Sequence, residues 1–295
     1  WQWRGCMELN GSVNLMKSAI ETADLVTTVS ETYARELSYP YYSCGLDEVI
    51  ARASWKLYGI TNGIDVKLLN PATDPALPAN YDKRSFRKAR AVCKEALQRE
   101  VGLPVKPHTP LCVMVTRLTE QKGLDLLCYI ARRLLLEDIQ LLVMGNGEPY
   151  FEEFFQLLVQ EFPDKVAVKH TFDSQLESRM YAGGDIYLMP SKSEPCGLNQ
   201  MNAMRYGAVP VVHSTGGLRD TVRPANEYGD RGTGFTFQSY NGDDFYAALG
   251  RALRLYRQFP EGFHAVQRRG MEQDFSWSKP AKRYMELFQQ MLDEW

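Results

Sequence analysis

Neither sign of charge dominates this chain: 34 Lys and Arg stand against 36 Asp and Glu. That balance argues against a nucleic-acid partner or an anionic membrane surface. No apolar run approaches the roughly 20 residues needed to span a bilayer, so no membrane role is expected. Histidine is scarce, at 4 residues, and forms no cluster with the six cysteines Cys6, Cys44, Cys93, Cys112, Cys128 and Cys196. None of these cysteines is spaced C-x-x-C, which argues against a zinc site. Cys112 and Cys128 sit inside apolar patterns and read as small core residues. A reducing, cytoplasmic-type compartment fits this cysteine usage. No Asp-x-Asp stands at a strand end to hold a metal-bound diphosphate, and Asp243 and Asp244 read as a helix start. No fixed-period repeat or low-complexity tract is present. Residue 1 is Trp and not Met, so the lack of a leader at this end excludes nothing.

What the chain does have is length enough for two domains, at 295 residues, and a steady alternation of elements. Residues 14–23 carry apolar groups at helical spacing. "LVTTVS" reads as a short strand, and Ser30 as the cap of a helix over "ETYAREL". "LYGITNGID" is a strand entering an Asn-Gly turn. Residues 66–82, rich in Pro, Asp and Asn, read as the loop between two domains. A long charged helix follows from Ser85 to about Val101. Then strand and helix alternate: "LCVMVTR", "KGLDLLCYIARRLLL", "IQLLVMG", "PYFEEFFQLLVQEF", "KVAVKH", "SQLESRMYAGG", "DIYLMP", and one more helix and strand ending at "AVPVV". The strands are unbroken apolar runs, as parallel strands covered on both faces are. The pattern predicts a doubly wound α/β sheet with its ligand at the carboxyl ends of the strands. The tail "SKPAKRYMELFQQMLDEW" predicts a final amphipathic helix bearing Tyr284, Leu287, Phe288 and Met291.

The strand-end junctions are therefore where chemistry is sought. Arg117 and Lys122, beside a helix start, suit a phosphate or diphosphate, or else form a solvated loop. Gly145 and Gly147 in "VMGNGEPY" read as turn-formers, since G-x-G without a third glycine is a weak phosphate cradle. Phe172 either stacks on a nucleobase or fills a core pocket, and composition favours the core. In "SKSEPCGLNQ" the side chain missing from Gly197 lets backbone amides at a helix start approach a ligand. Glu194 would repel a diphosphate there, so it is expected to stand apart from the phosphates. It could accept hydrogen bonds from sugar hydroxyls and stabilise positive charge at a sugar carbon; a helix-capping acid is the plainer alternative. Gly216 and Gly217 allow either close contact with substrate or a tight turn.

The runs "TRLTEQKGLDLL", "YAGGDIYLMPSKSEPCGLNQMNAMRYGAVPVV" and "STGGLRDTV", with "NLMKSAIETADLVTTVSETYARE" and "GITNGIDVKLLNPATDP" before them, together resemble the bacterial glycogen synthase and plant starch synthase family. The resemblance implies a GT-B fold, with two Rossmann-type domains facing across a cleft. It implies transfer of glucose from ADP-glucose to the non-reducing end of an α-1,4-glucan, with retention of configuration and with neither metal nor cofactor. No sequence context marks a lysine for pyridoxal phosphate. By that resemblance, Arg117 and Lys122 bind the diphosphate, Phe172 stacks on adenine, and Glu194 lies near the glucosyl ring. Gly197, Leu198 and Asn199 meet the phosphates, Cys196 beside them is counted as substrate-binding, and Gly216 and Gly217 lie beside the sugar. Asn202, where the family often has Tyr, receives no role.

The family's Lys and Gly-Gly loop, and a His farther on, are not found before Asp24. Residues 1–65 are then expected to be the end of an acceptor-side domain, 66–275 the nucleotide-sugar domain, and 276–295 a helix crossing back. The 295-residue chain alone is expected to bind ADP yet elongate glucan weakly or not at all. The compartment implied is the cytoplasm, or the plastid in a plant. Another GT-B sugar-nucleotide transferase and a non-catalytic nucleotide- or glucan-binding module are the alternatives.

Overall fold

The computed structural model describes residues 4–293; residues 1–3 and 294–295, the ends of the expected first and last segments, lie outside the described residues. Ten strands follow in chain order: β1 (Glu8–Leu9), β2 (Ser12–Val13), β3 (Val26–Thr28), β4 (Leu57–Gly59), β5 (Leu111–Val115), β6 (Gln140–Met144), β7 (Val166–Lys169), β8 (Ile186–Met189), β9 (Val209–His213) and β10 (Phe235–Phe237). The last six form one sheet in the order β10-β9-β8-β5-β6-β7, every pair parallel. The chain builds outward from β5 to β7, returns to the other side of β5 as β8, and builds outward again to β10. This is the doubly wound order the alternation predicted, with its reversal between β5 and β8.

The apolar runs are explained by burial on both faces. Every residue of β5, β6, β8, β9 and β10 is buried, and only the edge strand β7 is partly open. Successive side chains of a strand point to opposite faces. Accordingly Cys112, Met114, Leu141, Val143, Ile186 and Leu188 share one core with the helices Leu124–Leu135 and Gly242–Gln258. Their neighbours Val113, Val115, Leu142, Met144, Tyr187 and Met189 share the other, with the helices Phe86–Val101 and Ser174–Gly183. Burial pushes the Cys112 thiol up to about 12, so Cys112 is a neutral core residue, as the sequence pattern indicated.

The amino-terminal part is smaller. β3 and β4 pair in parallel, beside helices Leu15–Thr22 and Glu31–Glu36. Asn14 and Ser30 cap those helices, their side chains accepting from the amides of Lys17 and Tyr33. The proline-rich stretch 66–82 does not hang free. Tyr81 is buried and donates its hydroxyl to Tyr206 O at 2.7 Å, while the Tyr206 hydroxyl donates to Asp74 Oδ2 at 2.6 Å. The final helix, Ser278–Asp293, buries Leu287 and leaves Met285, Phe288 and Leu292 exposed. No helix among the described residues is long and apolar enough to cross a membrane.

At the amino-terminal edge of the sheet, a buried ion pair joins Lys94 to Asp185, Nζ to Oδ2 at 2.6 Å. Asp185 also accepts from the Leu111 amide at 2.9 Å, and Lys94 donates to Thr109 O at 2.7 Å. These groups border a cavity of about 520 Å³, where they satisfy one another. Removing one partner of such a pair leaves an unpaired buried charge, which costs about 3–5 kcal/mol. Asp185→Ala should therefore lower the unfolding free energy by about 3 kcal/mol or more, read from the urea midpoint; an unchanged midpoint would show that the pair is dispensable.

Candidate functional site

The reversal point of the sheet opens into a cavity of about 230 Å³ at the carboxyl ends of β5 and β8. Its walls come from Val115 at the end of β5, Thr116 after it, Lys122, and residues of the segment from Ser191 to Asn199 after β8. The Val115 carbonyl, at the end of β5, accepts from the Tyr187 hydroxyl at 3.0 Å and from Asn199 Nδ2 at 3.1 Å. One oxygen thus pins β8 and the helix Asn199–Arg205 to the end of β5. Burial holds the Tyr187 phenol far above the usual range, so it acts as a neutral donor.

Lys122 lies on a tight helical turn, Glu120–Lys122, before the helix Leu124–Leu135. Its Nζ donates to Glu194 Oε2 at 2.7 Å, and Ser191 Oγ donates to the same oxygen at 3.1 Å. Their side chains are 16% and 9% exposed. The acid expected to stand apart from the phosphates is thus bonded to one of the two cations expected to bind them. The tight turn carries Lys122 over the loop after β8, where a buried carboxylate needs a counter-charge. Arg117, the other cation, is exposed and does not line the cavity. Among the described residues no hydrogen bond or ion pair holds its guanidinium, so it is free to meet a ligand.

Gly197, Leu198 and Asn199 line the cavity. Gly197 has φ +67, a left-handed conformation that favours glycine, and an added Cβ would press on Gln200. The first backbone bond of the following helix comes from the Met201 amide, to Leu198 O at 2.9 Å. The amides before it face the entry to the helix, where an anion is favoured.

The remaining candidates stand around this centre. Phe172 is 57% exposed, which overturns the core reading that composition favoured. Its ring tip lies 3.7 Å from where a Cβ on Gly145 would sit, so it stands at the carboxyl edge of the sheet with one face free. Gly145 and Gly147 are structural, since a Cβ on either would strike the carbonyl oxygen of Thr116 or Leu118. Cys196 is buried against Ile64 and Met201 and presents no side chain to the cavity. Gly216 and Gly217 do not line the cavity but lie flush against its loop. A Cβ on Gly216 would strike Glu194 O and one on Gly217 would strike Cys196 O. The Gly217 amide donates to Glu194 O at 3.0 Å.

Sequence reading overlooked two supports of Glu194. Ser191 bonds it directly, and His213 Nδ1 lies 2.8 Å from Ser191 O, fixing the loop from the end of β9. Both follow apolar strands, the one signal that could have found them. Among the described residues no group of His, Cys, Asp and Glu is placed to hold a metal ion.

Comparison with known proteins agrees with the fold. A family model described as "Glycosyl transferases group 1" matches residues 98–261, and one described as "Starch synthase catalytic domain" matches residues 1–52. The glycogen synthase of Streptococcus sanguinis is 45% identical over 288 residues, 98% of this chain and 60% of its own length. That of Desulforamulus reducens is 44% identical over 286 residues, 97% of this chain and 59% of its own. The chain thus spans about 60% of the length of these relatives. The catalytic domain of starch synthase IV from Arabidopsis thaliana, solved bound to ADP and acarbose, superposes with a TM-score of 0.87 at 35% identity, covering 94% of this chain and 58% of that one. Sucrose-phosphate synthase from Thermosynechococcus elongatus, at 20% identity and a TM-score of 0.63, covering 99% of this chain and 65% of that one, shares the fold.

The packing of the Glu194 loop is open to a chemical test. Burial, with Glu194 nearby, raises the Cys196 thiol above its ordinary value, whereas Cys44 is exposed. Only the thiolate alkylates readily. In the native protein at pH 8, iodoacetamide should label Cys44 well before Cys196, as followed by mass spectrometry of peptides. Equal labelling rates would mean that this loop is not packed as described.

Proposed function

The chain belongs to the group 1 glycosyl transferases, and from that premise we propose that the protein containing it is a glycogen synthase. It transfers glucose from ADP-glucose to the 4-hydroxyl at the non-reducing end of an α-1,4-glucan and retains the anomeric configuration. The observation that carries this proposal is the Lys122–Glu194 pair at the wall of the cavity where the sheet reverses.

In this proposal residues 66–275 hold the donor, residues 1–65 belong to the acceptor-side domain, and the segment 276–295 returns toward that domain. Lys122, the free guanidinium of Arg117 and the amides from Gly197 to Asn199 hold the diphosphate. The exposed face of Phe172 stacks on adenine. Glu194, oriented by Lys122 and Ser191, accepts hydrogen bonds from hexose hydroxyls and faces the positive charge that develops at the anomeric carbon. The bond from that carbon to the diphosphate oxygen breaks. A new bond forms on the same face to the acceptor oxygen, whose proton passes to the departing ADP. Same-face attack preserves the configuration without a protein nucleophile. The relatives named glycogen synthase and the starch synthase solved with ADP support this donor and acceptor.

Two measurements on the full-length protein test the proposal. Lys122→Ala should lower kcat/KM for glucan elongation from ADP-glucose about 100-fold, the effect of removing one donor aimed at developing charge. Full activity in that variant would remove Lys122 from the chemistry. Phe172→Ala should weaken ADP about tenfold by calorimetry, ~1.4 kcal/mol, within the range of base stacking on an aromatic side chain. Tighter binding of UDP than ADP by the unmodified protein would replace the adenine donor in this assignment.

A further inference from the structure

Two short helices from distant parts of the chain cap each other. One is Glu31–Glu36 in the amino-terminal part, and the other is Gly216–Thr221 after β9. At one end Asp220 accepts from Ser30 Oγ at 2.8 Å, from the Thr32 amide at 3.0 Å and from Thr32 Oγ1 at 2.5 Å. At the other end both oxygens of Glu36 accept from the Gly216 amide at 3.0 Å, and from Thr215 Oγ1 at 3.1 and 3.2 Å. Each acid stands near the carboxyl end of its own helix and satisfies the amino end of its partner. Both contacts therefore combine a cap with a favourable dipole.

The Glu36 end of this pair leads directly to the candidate site. The amide held by Glu36 belongs to Gly216. The next amide, of Gly217, donates to Glu194 O at 3.0 Å and to Pro195 O at 3.2 Å. Neither glycine has room for a Cβ against the backbone of Glu194 to Cys196. The two backbones are in contact with no slack between them, so a shift of one displaces the other. A second tie runs alongside: Gln200 Nε2 donates to Thr221 Oγ1 at 2.9 Å, and Thr221 Oγ1 donates to Gly217 O at 2.6 Å.

We propose that Glu36 is a positioning residue for Glu194: through Gly216 and Gly217 it sets where the loop holds that carboxylate, so the placement of the amino-terminal helix is coupled to the donor site. The coupling needs no contact between Glu36 and substrate. Its consequence for catalysis rests on the transferase assignment above. The coupling itself rests only on the hydrogen bonds and close backbone contacts described.

The test uses Glu36→Gln and Asp220→Asn in the full-length protein. Both keep side-chain volume and weaken one cap each. Glu36→Gln should lower kcat for transfer from ADP-glucose about tenfold while the Kd for ADP rises no more than about threefold, because Arg117 and Phe172 lie outside the loop that this cap places. Amide hydrogen exchange at Gly216 and Gly217, and at Met201 and Asn202, whose amides are bonded to Leu198 O just past the acid-bearing loop, should quicken about tenfold. Asp220→Asn should quicken exchange at Thr32 and Tyr33, with a smaller loss of kcat; it serves alone if the Gln variant does not fold. Unchanged exchange at Met201 and Asn202 in the folded Glu36→Gln protein would overturn the coupling. An unchanged kcat, or a Kd that weakens in step with kcat, would overturn the positioning role, since a purely stabilising cap gives those results. If the parent protein transfers nothing from ADP-glucose, the transferase assignment fails, and the exchange rates still decide the coupling.

Discussion

The candidate site depends on one adjacency: β5 lies beside β8, although two other strands and three helices come between them in sequence. Because the chain winds away from β5 in one direction and returns in the other, the loops after these two strands diverge and leave a gap at their carboxyl ends. The Val115 carbonyl holds that gap to a fixed width by accepting from Tyr187 on β8 and from Asn199 on the following helix. At the opposite end Asp185, just before β8, accepts the amide of Leu111, the first residue of β5. The two strands are therefore tied at both ends by side chains as well as along the ladder.

Within the gap the electrostatics are set by an unequal pair of cations. Lys122 is already neutralised by Glu194, while the Arg117 guanidinium is exposed and unpaired among the described residues. A buried carboxylate with one lysine and one serine hydroxyl is oriented before any ligand arrives. An ion pair in this setting contributes little net stability, since desolvation offsets most of the attraction. Its value is geometric: Lys122 can meet an anion with its remaining donors while it keeps the carboxylate in place. Arg117 contributes charge without breaking an existing bond.

The fold was largely legible in the sequence because the signals that fix it are local. Apolar runs such as "LCVMV" and "LLVM" announced strands covered on both faces, and Ser30 announced its helix as a cap. Helices without a strong local signal, such as Asp47–Arg52 and Pro260–Met271, were not read. At the site, the motif residues Lys122, Glu194, Gly197, Leu198 and Asn199 do converge. What the sequence could not express was long-range pairing. Lys122 and Glu194 are 72 residues apart, and nothing in either motif states that the two side chains meet. Phe172 misled for a related reason. Its apolar character suggested the core, but its place after an edge strand leaves its face open.

The two helices that shape the acid-bearing loop are too short to be stable by themselves. Asn199–Arg205 has seven residues and Gly216–Thr221 has six, well below the roughly 12–15 that an isolated helix needs in water. Their positions must come from outside: from Val115, from Gln200 and Thr221 bonded to each other, and from Glu36 across the molecule. Long helices such as Phe86–Val101 and Gly242–Gln258 instead bury a broad apolar face and would hold their place through the loss of any one contact. A site framed by long helices would be rigid and indifferent to its surroundings. One framed by short helices takes its geometry from whatever caps them, and here one of those caps belongs to the amino-terminal part of the chain.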